Sequence, residues 1–232
     1  MTGAISNLWR SLVALVYPPS CVVCADVQIS ERTRFVCERC WRNVEQARIP
    51  LPRYAETDEA CAAGIDLDLS AWYYDGEIAA LIPSMKYHNR PALAKILGEQ
   101  AAARIQPDLH AVLASSAVLA PVPLHPRRRR ERGFDQSLLI AQALSKKWGI
   151  AMAPKLLRRI RFTEKQVKLN AQERAQNVSG AFAIDKRFLA TEDTVLLVDD
   201  VITTGATVNG CATILKAAGF ERVYAITLAR TD

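Results

Sequence analysis

At 232 residues, 50% of them hydrophobic and 23% charged, the chain can bury a core, and no run reaches the roughly 18 apolar residues of a helical membrane span. An intrinsically disordered chain is excluded. The formal charge of +6 is uneven, with fourteen Lys and Arg against four acids between positions 121 and 174, and such a block favours phosphorylated small molecules and nucleic acids alike.

In chain order, the first feature is the apolar run Leu12–Val16 after Arg10. It is too short for a signal-peptide core, and Pro18-Pro19 stand where cleavage needs small residues. A short amphipathic helix capping the next unit is expected, and with it a cytoplasmic protein. Cys21-x-x-Cys24 and Cys37-x-x-Cys40 follow, with twelve residues between the pairs. Two such turns bring four thiolates to the corners of a tetrahedron, so Cys21, Cys24, Cys37 and Cys40 are expected to hold a structural Zn²⁺. A stretch this small buries little core, and metal binding would supply its folding energy. Disulfides are the rival pairing, disfavoured in a reducing compartment. Cys61 stands alone, and Cys211 falls inside a helix, where a free cysteine is ordinarily a small buried apolar residue. Neither reads as catalytic.

From about residue 71 short apolar runs alternate with helix-period segments, the pattern of a βαβ series with a parallel sheet. Two domains are expected: 1–70, the N-terminal helix and zinc module, and 71–232, an α/β domain. Strands are predicted at Ala71–Tyr74, Ala117–Ala120, Thr194–Val198 and Val223–Leu228, and helices at Arg90–Ile105, Phe134–Trp148 and Thr207–Ala218. Gly219 suits the left-handed position after the last helix. Arg127–Arg130 with Arg132 could neutralise an anionic group, or form a solvated positive loop. Residues 163–182 are polar with scattered apolar positions and suit a mobile lid, from which Lys165, Lys168 and Arg174 could reach a charged ligand; an exposed amphipathic helix fits equally. His88 and His125 do not read as bases.

The most informative stretch is Val195-Leu196-Leu197-Val198-Asp199-Asp200-Val201-Ile202-Thr203-Thr204-Gly205-Ala206-Thr207. A buried strand ends in two carboxylates and turns through Thr-Thr-Gly into a helix. Ligands of open parallel sheets sit beyond the carboxyl ends of strands, and a helix start offers unpaired N–H groups and a positive dipole end. Thr203, Thr204, Gly205, Ala206 and Thr207 are therefore candidate phosphate-binding residues, with hydroxyls as extra donors and glycine permitting close approach. Asp199 and Asp200 would repel that phosphate. They make sense as acceptors for sugar hydroxyls one sugar-length away. The plain alternative is a tight turn whose aspartates cap the helix.

This order of strand, Asp-Asp and Thr-Thr-Gly-x-Thr resembles the signature of type I phosphoribosyltransferases. The resemblance implies 5-phosphoribosyl 1-diphosphate as ligand, its 2′- and 3′-hydroxyls on the two acids, its 5′-phosphate in the loop, and Mg²⁺ carried with the diphosphate. It implies Val122 and Pro123 as diphosphate contacts, with Lys86 and Arg132 as further candidates. The four cysteines, Tyr73-Tyr74-Asp75, Met85-Lys86-Tyr87, Pro121-Val122-Pro123-Leu124, Arg132-Gly133-Phe134-Asp135-Gln136-Ser137, Asn177-Val178 with Phe182 and the Asp199–Thr207 loop together resemble the ComF family of competence-associated proteins. Asp135 stands where Asn is expected. The family implies a type I phosphoribosyltransferase-like sheet flanked by helices, zinc, and in some bacteria a part in taking up transforming DNA. Single-stranded DNA and the uptake machinery thereby become candidate partners. Three functions stay open: a transferase with an unidentified acceptor, a zinc- and single-stranded-DNA-binding competence factor without turnover, and a regulator that only senses the sugar diphosphate.

Overall fold

The computed structural model describes residues 20–26, 34–54, 64–113, 116–162, 180–185, 187 and 192–231. The Leu12–Val16 helix, Cys61, and Lys165, Lys168 and Arg174 lie outside the described residues. In chain order the elements are α1 (Glu38–Gln46), β1 (Arg53–Tyr54), β2 (Leu67–Tyr73), α2 (Gly76–Tyr87), α3 (Pro91–Val112), β3 (Ala117–Pro121), α4 (Pro126–Arg132), α5 (Gln136–Trp148), β4 (Leu157–Arg159), β5 (Phe182–Ile184), β6 (Thr194–Ile202), α6 (Ala206–Ala217) and β7 (Arg222–Arg230).

Five strands form one sheet in the order β1-β2-β7-β6-β3. β2, β7, β6 and β3 run parallel, and β1 pairs antiparallel with β2. Val195–Val198 on β6 are wholly buried, which is why that strand reads as an unbroken apolar run and not an alternating one. One face of the sheet packs Leu196 and Val198 with Leu93 and Leu97 of α3 and Ile140 and Leu144 of α5. The other face packs Val195, Leu197 and Val223 with Val208, Cys211 and Leu215 of α6. Where α3 crosses α5, a Cβ added at Gly98 would lie 2.9 Å from the Ala143 Cβ, so only glycine permits that approach. β4 and β5 make a separate two-stranded antiparallel sheet.

The cysteine module packs on this domain. Cys40, Trp41 and Val44, on one face of α1, share a core with Trp72, Ile78, Leu81 and Met85. Arg104 of α3 clasps the joint: its Nε donates to the Ala71 carbonyl at 3.0 Å and Nη1 to the Glu45 carbonyl at 2.9 Å. Its Nη2 reaches the Ala47 carbonyl, and the guanidinium lies 5.2 Å from the Trp72 ring centre. The Trp72 indole N–H donates to the Val44 carbonyl at 3.0 Å.

Several elements differ from the sequence expectation, three of them for clear local reasons. β2 opens at Leu67, not Ala71, because Asp68 and Ser70 are accommodated inside: the Ser70 hydroxyl donates to Asp68 at 2.9 Å and meets the Thr227 hydroxyl at 2.7 Å. α3 continues to Val112 through Pro107. The arginine run is not a loop but the helix α4, with the His125 ring accepting from the Arg127 N–H, Pro126 in the first turn and left-handed Gly133 closing it.

Candidate functional site

β6 lies between β7 and β3, and its carboxyl end opens into residues 203–205 before α6 begins. Gly205 caps that helix at φ +68°, a left-handed conformation that disfavours any side chain, and no side chain caps the helix. Among the described residues, none of the backbone N–H groups of 203–207 donates a hydrogen bond. Thr203 is exposed, Thr204, Ala206 and Thr207 are half-buried, and Gly205 is buried. Such a turn can cradle an anion: partnerless amides, threonine hydroxyls and the positive end of a helix dipole belong to one short stretch.

The two acids before it are held differently. Asp200 turns inward at 5% exposure and pairs through Oδ1 with Lys86 Nζ of α2 at 2.8 Å, while its buried Oδ2 has no hydrogen-bond partner. Asp199 Oδ1 accepts from the Ser137 hydroxyl of α5 at 2.9 Å and from the Asp200 N–H at 2.8 Å. Burial and then the Asp200 charge raise the Asp199 carboxyl to about 7, against Lys86 and the two hydrogen bonds. Burial opposes the Lys86 charge, but the attraction of Asp200 and Asp199 outweighs it, and the ammonium titrates above its usual range. Lys86 thus meets Asp200 directly. The structure brings Asp199, Asp200 and Lys86 together at the cradle's edge.

The second loop joins them. β3 and β6 pair through Pro121 and Val198, and the Val122 N–H donates to the Val198 carbonyl at 2.9 Å, so Val122 and Pro123 begin beside Asp199. Arg132, half-buried, bonds the Gln136 side chain and sits 6.0 Å from the Tyr87 ring centre, one residue from Lys86. Asp135 caps α5 by accepting the Leu138 N–H at 3.2 Å, a bond an Asn oxygen would make equally well. Burial pushes the Asp135 carboxyl up, against the Leu138 and Leu124 amides and Arg129 and Arg132. A cleft of about 590 Å³ opens between this loop and the β4–β5 pair, walled by Pro121, Pro123 and Leu138 and lined by Arg129, Arg158 and Arg159.

The thiols of Cys21, Cys24, Cys37 and Cys40 lie within 4.8 Å of one another, with Cys24 and Cys37 at 3.6 Å and none in a disulfide. Tetrahedral zinc with Zn–S bonds of about 2.3 Å places sulfurs about 3.8 Å apart, so the four fit Zn²⁺. The Asp26 N–H, aided by the neighbouring thiols, lowers Cys24 to about 6, whereas burial and the same neighbours push Cys40 up. The Arg39 guanidinium, raised by its bond to Cys24, adds positive charge beside the thiolates.

Sequence reasoning missed Ser137 and Arg159, whereas Phe162 stands with Trp148 and Phe134 among the few aromatics near the basic block in the sequence. Ser137 holds Asp199, although it sits in the Arg132–Ser137 motif, because nothing local reveals a partner 62 residues away. Arg159 of β4 is close enough for the Asp199 charge to act on it. Phe162 packs edge-to-face on His125 at 5.0 Å, under Arg127 at 4.8 Å and Arg128 at 5.6 Å.

Comparison with known proteins accords with both halves. A family model for the phosphoribosyl transferase domain matches residues 138–232, and one for the double zinc ribbon domain matches residues 12–53. Competence protein F of Haemophilus influenzae is 34% identical over 164 residues, 68% of this chain and 70% of that protein. DNA utilization protein YhgH of Escherichia coli is 28% identical over 228 residues, 97% of this chain and 96% of that one. Competence protein ComFC of Bacillus subtilis is 34% identical over 130 residues, 55% of this chain and 48% of that one. An α/β sheet of the phosphoribosyl transferase type, a four-cysteine zinc ribbon packed on it and these relatives lead to one conclusion: the chain belongs to the ComF family of competence-associated proteins.

Proposed function

We propose that the protein binds 5-phosphoribosyl 1-diphosphate as its Mg²⁺ complex. The observation that carries this reading is the set of unspent N–H groups at 203–207, one strand-end away from two carboxylates. The 5′-phosphate would accept those amides and the threonine hydroxyls, and the ribose hydroxyls would donate to Asp199 and Asp200. Mg²⁺ would come with the diphosphate and offset part of its charge, held by waters and substrate phosphates in place of a protein cage. Val122, Pro123 and Arg132 would face the diphosphate, with Lys165, Lys168 and Arg174 closing from residues 163–182. If turnover occurs, a nucleophile bonds to C1 of the ribose, the C1–O bond breaks, and diphosphate leaves with the bonding electrons. The cationic, proline-walled cleft is where an anionic acceptor would meet the sugar.

Isothermal titration of the zinc-loaded protein with phosphoribosyl diphosphate and Mg²⁺ tests the reading. Binding is expected, and the Asp199→Ala/Asp200→Ala variant should lose at least about tenfold in affinity, the scale of one lost charge-assisted hydrogen bond. Unchanged binding in that variant contradicts the reading. Release of diphosphate in the presence of an acceptor separates a transferase from a sensor of the same ligand.

A second reading rests on Phe162 among the cations of α4, which has no buried residues. An aromatic ring flanked by arginines is a platform for stacked bases and backbone phosphates, and it suits a cytoplasmic part in handling single-stranded DNA during uptake. Binding to a labelled oligonucleotide should fall steeply with salt and weaken in Phe162→Ala and in Arg127–Arg130 neutralised to Gln. Salt-insensitive binding, or no effect of either variant, rules this surface out.

A further inference from the structure

Two carboxylates sit side by side at the end of β6, one nearly sealed from water, and a single ammonium meets that buried one within hydrogen-bonding distance. We infer that Lys86 is a positioning residue: held on Asp200 Oδ1, its ammonium fixes that carboxylate and, by its charge, favours the ionised form of the neighbouring Asp199, so that the two can receive sugar hydroxyls. This rests on the sugar-diphosphate reading and assigns Lys86 a place different from a diphosphate contact.

The geometry supports it in three ways. Lys86 Nζ is 2.8 Å from Asp200 Oδ1, with side-chain exposures of 17% and 6%, so the pair is shielded from screening by solvent. Asp200 Oδ2 is a buried acceptor with no hydrogen-bond partner, an unmet demand for a donor at the site. Ser137 fixes Asp199 from the α5 side, so the two acids are braced by two different helices.

The other charged or titratable groups that act on the pair are Arg132 at the end of α4, opposing Lys86, Arg159 on β4, and the buried thiol of Cys211 on α6. With Lys86 present Asp199 titrates near 7, so affinity for a hydroxyl donor falls as pH drops through that value. Loss of the ammonium makes Asp199 harder to ionise. The fall must then begin at higher pH.

The test compares wild type, Lys86→Met and Lys86→Arg, each with zinc bound and its fold checked by circular dichroism. Two probes are titrated from pH 6 to 9: Mg²⁺-phosphoribosyl diphosphate, and ribose 5-phosphate, which lacks the diphosphate. Lys86→Met is expected to weaken both ligands and to move the pH midpoint of binding up by about one unit or more, a tenfold change in proton affinity. Lys86→Arg should restore most of the midpoint. A loss confined to phosphoribosyl diphosphate, with an unmoved midpoint, makes Lys86 a diphosphate contact and overturns the inference. The Asp199 side-chain carboxyl carbon, followed by NMR without ligand, reads the same quantity independently: an equal titration point in Lys86→Met overturns the inference even where no ligand binds. Absence of binding by wild type contradicts the sugar-diphosphate reading and leaves this NMR arm to decide the role of Lys86.

Discussion

Asp68 and Arg230 lie at 1% and 3% exposure on adjacent strands, 3.4 Å apart, in a cluster with Ser70 and Thr227. Burial raises the Asp68 carboxyl, and the Ser70 hydroxyl with the charges of Arg230 and Arg53 pulls it back. Removing one partner strands the other, so Arg230→Ala is expected to cost about 3–5 kcal/mol in urea unfolding, whereas Asp68→Leu/Arg230→Met should recover most of that loss. A double variant as unstable as the single one would contradict the pairing. Asp199 offers a pH test. Its folded value of about 7 exceeds the ordinary 3.8, so the proton it carries stabilises the fold below about pH 4, and that contribution is lost as pH rises through 7. Asp199→Asn should therefore match wild type near pH 4 and exceed it by about 1–3 kcal/mol at pH 8 while losing ligand affinity. Equal stability at both pH values refutes the assignment. The acids were legible in the sequence because strand, carboxylates and turn are contiguous. The Lys86 partner of Asp200 was not, since 114 residues separate them and no local rule links α2 to β6.

At the scale of elements, α5 and α6 were legible because an apolar stripe, a capping Asp135 and left-handed Gly149 and Gly219 agree. Helix α2 was not, because Pro83 stands in its interior and Gly76 opens it, both of which argue against helix in isolation. It forms because Ile78, Leu81, Ile82 and Met85 find a core shared with α1, an example of packing overriding propensity. The same packing ties the metal to the site: Cys40 and Trp41 are adjacent on α1, α1 packs on α2, and α2 ends at Lys86 and Tyr87. The Asn43 side chain donates to Glu77 at 2.6 Å across that joint. Removing zinc with a chelator is expected to lower the melting temperature of the whole protein, not only to unfold the ribbon, and to weaken sugar-phosphate binding. An unchanged melting temperature for the α/β domain would show that the two units do not share stability.

Across the whole molecule, the sequence divided readily at the cysteines because a four-thiolate module and a βαβ series have unlike compositions. What it did not reveal is the joint. Arg104, one cation in the long helix α3, holds the Ala71, Glu45 and Ala47 carbonyls at once, and helix periodicity carries no trace of that. Arg104→Ala should leave those carbonyls without their donor and cost about 2–4 kcal/mol, separating one cooperative transition into two in calorimetry. A single transition at the wild-type temperature would contradict the clasp. The central claim concerns the end of β6, and a crystal structure of the zinc-loaded protein with phosphoribosyl diphosphate and Mg²⁺ tests it most directly. A 5′-phosphate bound by the amides of 203–207, with ribose hydroxyls on Asp199 and Asp200, is predicted. A ligand bound elsewhere, with those amides facing water, would contradict it.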